Sequence, residues 1–105
     1  MQIIFDPNVR EYLKEVSEIL YEKEYFGFAE NAIEYIDSLI SDISKTLHLC
    51  VRKPAPPYFS RYGKELFYSV FKKNDNTQWY VFFNYEDDIY LIRYIGNNHI
   101  VAQFL

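Results

Sequence analysis

Apolar residues recur at three- and four-residue steps through the first half of the chain and in short alternating runs through the second. Val9, Tyr12, Leu13, Val16, Ile19 and Leu20 form one stripe, with Glu11, Lys14, Glu15, Glu18 and Glu22 off it. That spacing predicts an amphipathic helix. Asp6 is its expected N-cap and Pro7 its first residue, where a missing N–H costs nothing. The helix is expected to run to about Tyr25, and Gly27 breaks the pattern. A second stripe follows at Ala29, Ala32, Ile33, Ile36, Leu39, Ile40, Ile43 and Leu47. Two such helices joined by a short link predict an antiparallel helical hairpin.

The helices are preceded by Gln2–Phe5, which reads as a short strand. After them come four aromatic and β-branched runs: Leu66–Phe71, Trp79–Tyr85, Ile89–Ile95 and His99–Leu105. Polar breaks at Lys72–Gln78, Glu86–Asp88 and Gly96–Asn98 separate the runs. Half-buried strands joined by hairpins have this form, so the runs predict an antiparallel β-meander. Arg52–Gly63 contains three prolines and is expected to be a loop, free of helix and central strand. The predicted fold class is α+β: a short N-terminal strand, a helical hairpin and a meander in one domain over residues 1–105. The sheet position of the N-terminal strand is left open.

Composition adds two constraints. Eleven Tyr and nine Phe in 105 residues exclude a disordered chain. They imply either a heavily aromatic core or a sheet face left over for a partner. The net charge of −4 is uneven. Four basic residues face ten acidic ones up to Cys50, whereas seven face five from Val51 onward. A solvated helix face accounts for the acidic half, and any polyanion would bind the other half. One cysteine excludes an internal disulfide. Met1–Pro7 lacks the basic start and apolar core of a signal peptide, and no apolar run reaches membrane-spanning length. A cytoplasmic protein without membrane contact is expected.

Candidate chemistry is sparse. No phosphate-binding glycine loop or nucleophile elbow is present. Cys50 and His48 read as a buried thiol and a helix-end residue. Glu86, Asp87 and Asp88 read as a solvated hairpin turn, and no metal or cofactor is expected. Strand alternation puts Ile89, Leu91, Arg93 and Ile95 on one face and Tyr90, Ile92 and Tyr94 on the other. Arg93 then either pairs with a carboxylate or snorkels out to solvent, or else grips phosphate, which a guanidinium matches bidentately. His99 is either a general acid or base at a strand mouth or a plain edge histidine. The proline-rich loop is either a stiff crossover from helix to sheet or a pre-ordered loop presenting Arg52, Lys53 and Arg61 beside Tyr58 and Tyr62.

The element order and the segment Tyr90-Leu91-Ile92-Arg93-Tyr94-Ile95-Gly96-Asn97-Asn98-His99 resemble the RelE/ParE toxin superfamily of type II toxin–antitoxin systems. The resemblance covers the whole chain as a pattern and Arg61–Leu105 at residue level. It implies a bacterial toxin bound by a cognate antitoxin protein. RelE-like members cut messenger RNA on the ribosome without a metal, whereas ParE-like members poison DNA gyrase. On the ribonuclease reading the catalytic residues are Arg61, Arg93 and His99, and the RNA-binding residues are Arg52, Lys53, Lys72 and Lys73. The alternative is a protein-binding member of the same fold, either a gyrase-directed toxin or a non-toxic interaction domain. The aromatic strand Leu66–Phe71, where RelE-like enzymes carry lysines, points to that alternative.

Overall fold

The chain opens as a strand because Gln2–Phe5 (β1) is tied to the far end of the sequence. It pairs parallel to Ile89–Asn97 (β5), with Gln2 opposite Ile89 and Phe5 opposite Ile92. The computed structural model describes residues 1–22, 29–74 and 77–105. Asp6 ends β1 and starts the first helix, Pro7–Glu22 (α1). Its Oδ1 accepts from the Asn8 N–H at 2.9 Å, the bond expected of an N-cap. Its own N–H donates to the Ile92 carbonyl at 3.0 Å. The second helix is Ala29–Thr46 (α2), which tightens into a 3-10 turn at Leu47–Leu49. The expected helix end near Tyr25 and the break at Gly27 lie outside the described residues.

One five-stranded sheet has the order β1-β5-β4-β3-β2. Phe67–Asn74 (β3), Thr77–Glu86 (β4) and β5 form the predicted meander. Asp87 and Asp88 make the β4–β5 turn at φ of 51° and 62°, the left-handed geometry that tight hairpin turns need. Asp88 also holds the chain start, with Met1 N 2.9 Å from its Oδ2. The proline-rich segment is more ordered than a plain loop. Lys53–Pro54 (β2) adds a two-residue edge strand, and Pro57–Tyr62 forms a 3-10 helix opened by proline. Proline suits both places, since an edge and a first helical turn need no N–H.

Both helices cover one face of the sheet. Leu13, Leu39, Ile43 and Leu47 are buried there against Trp79, Val81, Phe83 and Ile92. Trp79 Nε1 donates to Tyr35 Oη of α2 at 2.9 Å, which satisfies the buried indole. The chain also covers the opposite face itself. Phe59 of the 3-10 helix, Leu66 and Val101 close over Phe82, with Tyr62, Tyr68 and Phe104 packed around them. Phe82 and Phe83 are adjacent, point to opposite faces and are both fully buried. Among the described residues the aromatic surplus therefore fills two cores.

Two further expectations are corrected, beside the 3-10 helix in a segment expected to be free of helix. The run His99–Leu105 is helical: Asn98–Val101 (α3) leads into a 3-10 turn at Ala102–Phe104. Gly96 and Asn97 still belong to β5, and Asn97 caps α3 by accepting from the His99 N–H at 3.0 Å. Asn98 Oδ1 accepts from the Gln78 N–H at 3.0 Å, fixing the start of α3 beside β4. Val101 and Phe104, one helical turn apart, then face the second core. The second correction concerns alternation along β5. Phe82 pairs with Tyr94 but Phe83 pairs with Ile92, so Arg93 is an extra residue, a β-bulge. Beyond it the faces exchange, and Ile95 joins Tyr90 and Ile92 in the helix-side core. No helix among the described residues is long and apolar enough to cross a membrane.

Gly96 packs tightly against the second core. A Cβ there would lie 2.5 Å from Val101 Cγ2 and 3.1 Å from the Tyr94 hydroxyl. Valine has little rotamer freedom to yield. Gly96→Ala is expected to cost about 1–3 kcal/mol by overpacking, measured as a lower urea midpoint. An unchanged midpoint would show that the C-terminal segment does not pack on Gly96.

Candidate functional site

Beyond Ile92, β1 has turned away into α1, and β5 becomes the edge of the sheet. Three elements meet at that edge: the first turn of α1, the end of the 3-10 helix Pro57–Tyr62, and the bulge on β5. They enclose a cleft of about 310 Å³ whose polar and aromatic lining includes Asp6, Tyr12, Arg61, Tyr62, Arg93 and Tyr94. Arg61 and Arg93, 32 positions apart in sequence, thus share one cleft.

Each guanidinium is held differently. Arg93 Nε lies 3.8 Å from Asp6 Oδ2, and its Nη1 donates to Asn84 Oδ1 at 3.4 Å. Asn84 is anchored in turn, its Nδ2 donating to the Lys64 carbonyl at 2.7 Å. Arg61 is exposed. Its Nε donates to the Tyr58 carbonyl at 3.1 Å, and its guanidinium lies 3.8 Å from the centre of the Tyr58 ring. Phe104 stacks on Tyr58 at 3.7 Å and 3°, and the opposite face must carry Arg61, because one face cannot hold both.

The cleft's aromatic wall is Tyr62 stacked on Tyr94 at 3.9 Å and 2°, with Tyr12 tilted against Tyr94 at 6.0 Å. Burial, then the neighbouring Tyr12 and Tyr62 phenols, pushes the Tyr94 hydroxyl well above the usual tyrosine range. Burial, then Tyr62, raises Tyr12 as well. Both phenols therefore stay protonated near neutral pH and can donate hydrogen bonds, but cannot serve there as bases. Two guanidiniums against one carboxylate, at the positive end of a 16-residue helix, favour an anion in the cleft.

The other residues singled out in the sequence lie elsewhere. His99 sits exposed on α3 and does not line the cleft. Arg52 lies over the Tyr85 ring at 4.1 Å and near Phe67 at 5.5 Å. Lys53 is exposed on β2 and Lys72 on β3. Lys73 binds α2, with Nζ 3.0 Å from Ser38 Oγ and 3.3 Å from Asp42 Oδ2. Arg52, Lys53, Lys72 and Lys73 are thus carried on β2, β3 and the approach to them, across β4 from the bulge. Cys50 is partly buried rather than buried, and burial raises its thiol. Sequence reasoning placed Asp6 only as a cap and Tyr12 only in an apolar stripe. A phenol in an otherwise aliphatic stripe was the available signal that this helix face meets something polar.

Two measurements test this geometry. Asp6→Ala removes both the cap and the Arg93 partner and is expected to cost roughly 1–2 kcal/mol; Asp6→Asn keeps the cap and is expected to lose less than about 1 kcal/mol. Equal losses in urea unfolding would show that the ion pair, not the cap, dominates. For Tyr94 the folded pKa lies above the unfolded one, so the unfolded chain releases its proton first. Stability is therefore full below about pH 10 and falls as pH rises beyond it. Tyr94→Phe should flatten that alkaline decline; an unchanged slope would remove Tyr94 as its source. Comparison with protein-family models, with curated proteins and with solved structures returned no match to this chain.

Proposed function

We propose that this chain is a RelE/ParE-like toxin domain whose cleft grips a phosphate of single-stranded RNA, with metal-independent cleavage of messenger RNA on the ribosome as its activity. The observation that carries the reading is the convergence of Arg61 and Arg93 on one cleft at the start of α1. The order strand, helical hairpin, meander supports the family reading. In this reading Arg93 and Arg61 bind the phosphate and stabilise the charge that grows on it when a ribose 2′-hydroxyl, giving its proton to water, attacks the phosphorus; the P–O5′ bond breaks, the 5′-oxygen takes a proton from water, and a 2′,3′-cyclic phosphate remains. Tyr94 and Tyr12, held protonated, donate hydrogen bonds to the phosphate oxygens. A flat base can rest on the exposed edge of the tyrosine wall. The cognate antitoxin is the partner that the reading requires.

A second reading has its own observation. His99 stands apart from the cleft, and Lys73 is engaged by α2. A cleft without that histidine and lysine suits a protein-binding member of the fold, directed at DNA gyrase or not toxic at all.

Induced expression separates the two. On the ribonuclease reading, growth stops, messenger RNA is cut, and the pair Arg61→Ala and Arg93→Ala relieves both effects while His99→Ala does not. Arrest with intact messenger RNA and inhibited gyrase would move the chain to the second reading. Purified protein should bind a short single-stranded RNA in a salt-dependent way. Removing both arginines should lower the slope of log K against log salt by roughly 1.4, the value for two phosphate contacts on a single strand. An unchanged slope would clear the cleft of any part in RNA binding.

A further inference from the structure

We infer that Phe104 is a positioning residue for the cleft: through the Tyr58 ring it holds the Arg61 guanidinium where an entering anion meets it. This deepens the phosphate reading of the cleft and rests on it. The cause begins in the 3-10 helix Pro57–Tyr62. At three residues per turn, side chains three apart lie in one row. Phe59 and Tyr62 make one row, which packs into the second core and supplies the cleft wall. Tyr58 and Arg61 make the next row, so the arginine folds back onto the ring one turn before it. Its Nε donates to the Tyr58 carbonyl at 3.1 Å, and its guanidinium lies 3.8 Å from the ring centre.

That seat matters because Arg61 is exposed and no carboxylate among the described residues pairs with it. A loose arginine spreads over many rotamers, and an anion that binds it must halt that motion. An arginine already seated on a ring loses less freedom on binding. The ring must itself stand still for this to hold. Tyr58 is half-buried, and Phe59 meets it edge to face at 5.0 Å and 81°. Phe104 lies parallel to it at 3.7 Å and 3°, against the face turned away from Arg61. Phe104 is carried on a braced segment: Asn98 Oδ1 accepts from the Gln78 N–H, and the buried Val101 packs against Gly96. Val101 and Phe104 are one turn apart, so that bracing reaches the ring. A filler of the second core needs only apolar bulk at position 104. A support for a parallel ring needs a flat side chain, and that difference separates the two roles.

Variants of the full-length protein test this. Phe104→Leu keeps the bulk and removes the flat face, whereas Phe104→Tyr keeps the flat face. In the NMR spectrum of the free protein, the Arg61 Nε–H signal, assigned by its loss in Arg61→Ala, is displaced by the Tyr58 ring current. Phe104→Leu should move it toward its position in unstructured arginine, and Phe104→Tyr should leave it in place. Affinity for a short single-stranded RNA should fall about three- to tenfold in Phe104→Leu, the cost of ordering one long side chain, and hold in Phe104→Tyr. In an Arg61→Ala background Phe104→Leu should have no further effect, because one residue acts through the other. Tyr58→Leu removes the seat itself and should reproduce both changes. An Nε–H signal unmoved by Phe104→Leu or by Tyr58→Leu overturns the inference. So does an equal loss of affinity with and without Arg61, which a merely structural Phe104 would give. RNA affinity indifferent to Arg61→Ala and to Arg93→Ala removes the phosphate reading instead, and the role of Phe104 with it, even where the Nε–H signal moves.

Discussion

The extra residue at Arg93 is the constraint on which the rest of this structure depends. A strand alternates faces with period two, so one inserted residue exchanges the faces of everything after it. Before the bulge, Tyr90 and Ile92 face the helices. After it, Ile95 does, while Tyr94 turns to the second core. Without the insertion, Ile95 would leave the helix-side core and Tyr94 would enter it. The bulge also leaves Arg93 without a partner on β4. A residue released from the ladder can carry a charge out of a sheet whose neighbouring positions are buried, which is why the guanidinium can meet Asp6 and Asn84.

A sheet buried on both faces needs cover on both, and the chain supplies it unevenly. The helix side is closed by long amphipathic stripes. Among the described residues the other side is covered by a 3-10 turn, Leu66 and the last residues of the chain, so its packing rests on rings. Phe59 stacks on Phe82 at 4.2 Å, Tyr62 on Tyr94 and Phe104 on Tyr58. Aromatics bury more area per residue than aliphatic side chains, which lets short segments close a face that would otherwise need another helix. This packing positions the cleft as well: Tyr58 holds Arg61, and Tyr62 fixes one wall. The C-terminal segment therefore acts on the cleft through Phe104 and Tyr58.

Much of this was legible in the residues. The N-terminal strand, both helical stripes, the cap at Asp6, three meander strands and the Asp87–Asp88 turn follow from local periodicity and local turn chemistry. The misread parts depend on contacts that a single apolar run does not display. His99–Leu105 has the composition of a strand, but Asn97 and Asn98 bond to the adjacent backbone and to β4, and that decides for helix. The bulge leaves no mark in a single strand, since it is a property of the register between two. The cleft was half visible: Arg61 and Arg93 stood out by charge in apolar surroundings. Their meeting with Asp6 was not visible, because it requires β1 to pair with β5 across almost the whole chain.

That long-range pairing also defines the chemistry open to the cleft. Asp6 caps α1 with Oδ1, approaches Arg93 with Oδ2 and ties to β5 through its backbone. It cannot withdraw without loosening the helix start, so any incoming anion competes with a carboxylate that stays in place. Arg93 is consequently a shared cation, oriented but partly neutralised. Arg61 is exposed, set on the Tyr58 ring, and has no carboxylate partner among the described residues. An anion entering the cleft gains most from Arg61 and takes its position from Arg93. Loss of Arg61 should therefore weaken binding more, and loss of Arg93 should disturb geometry more. That division of labour follows from how the two side chains are held.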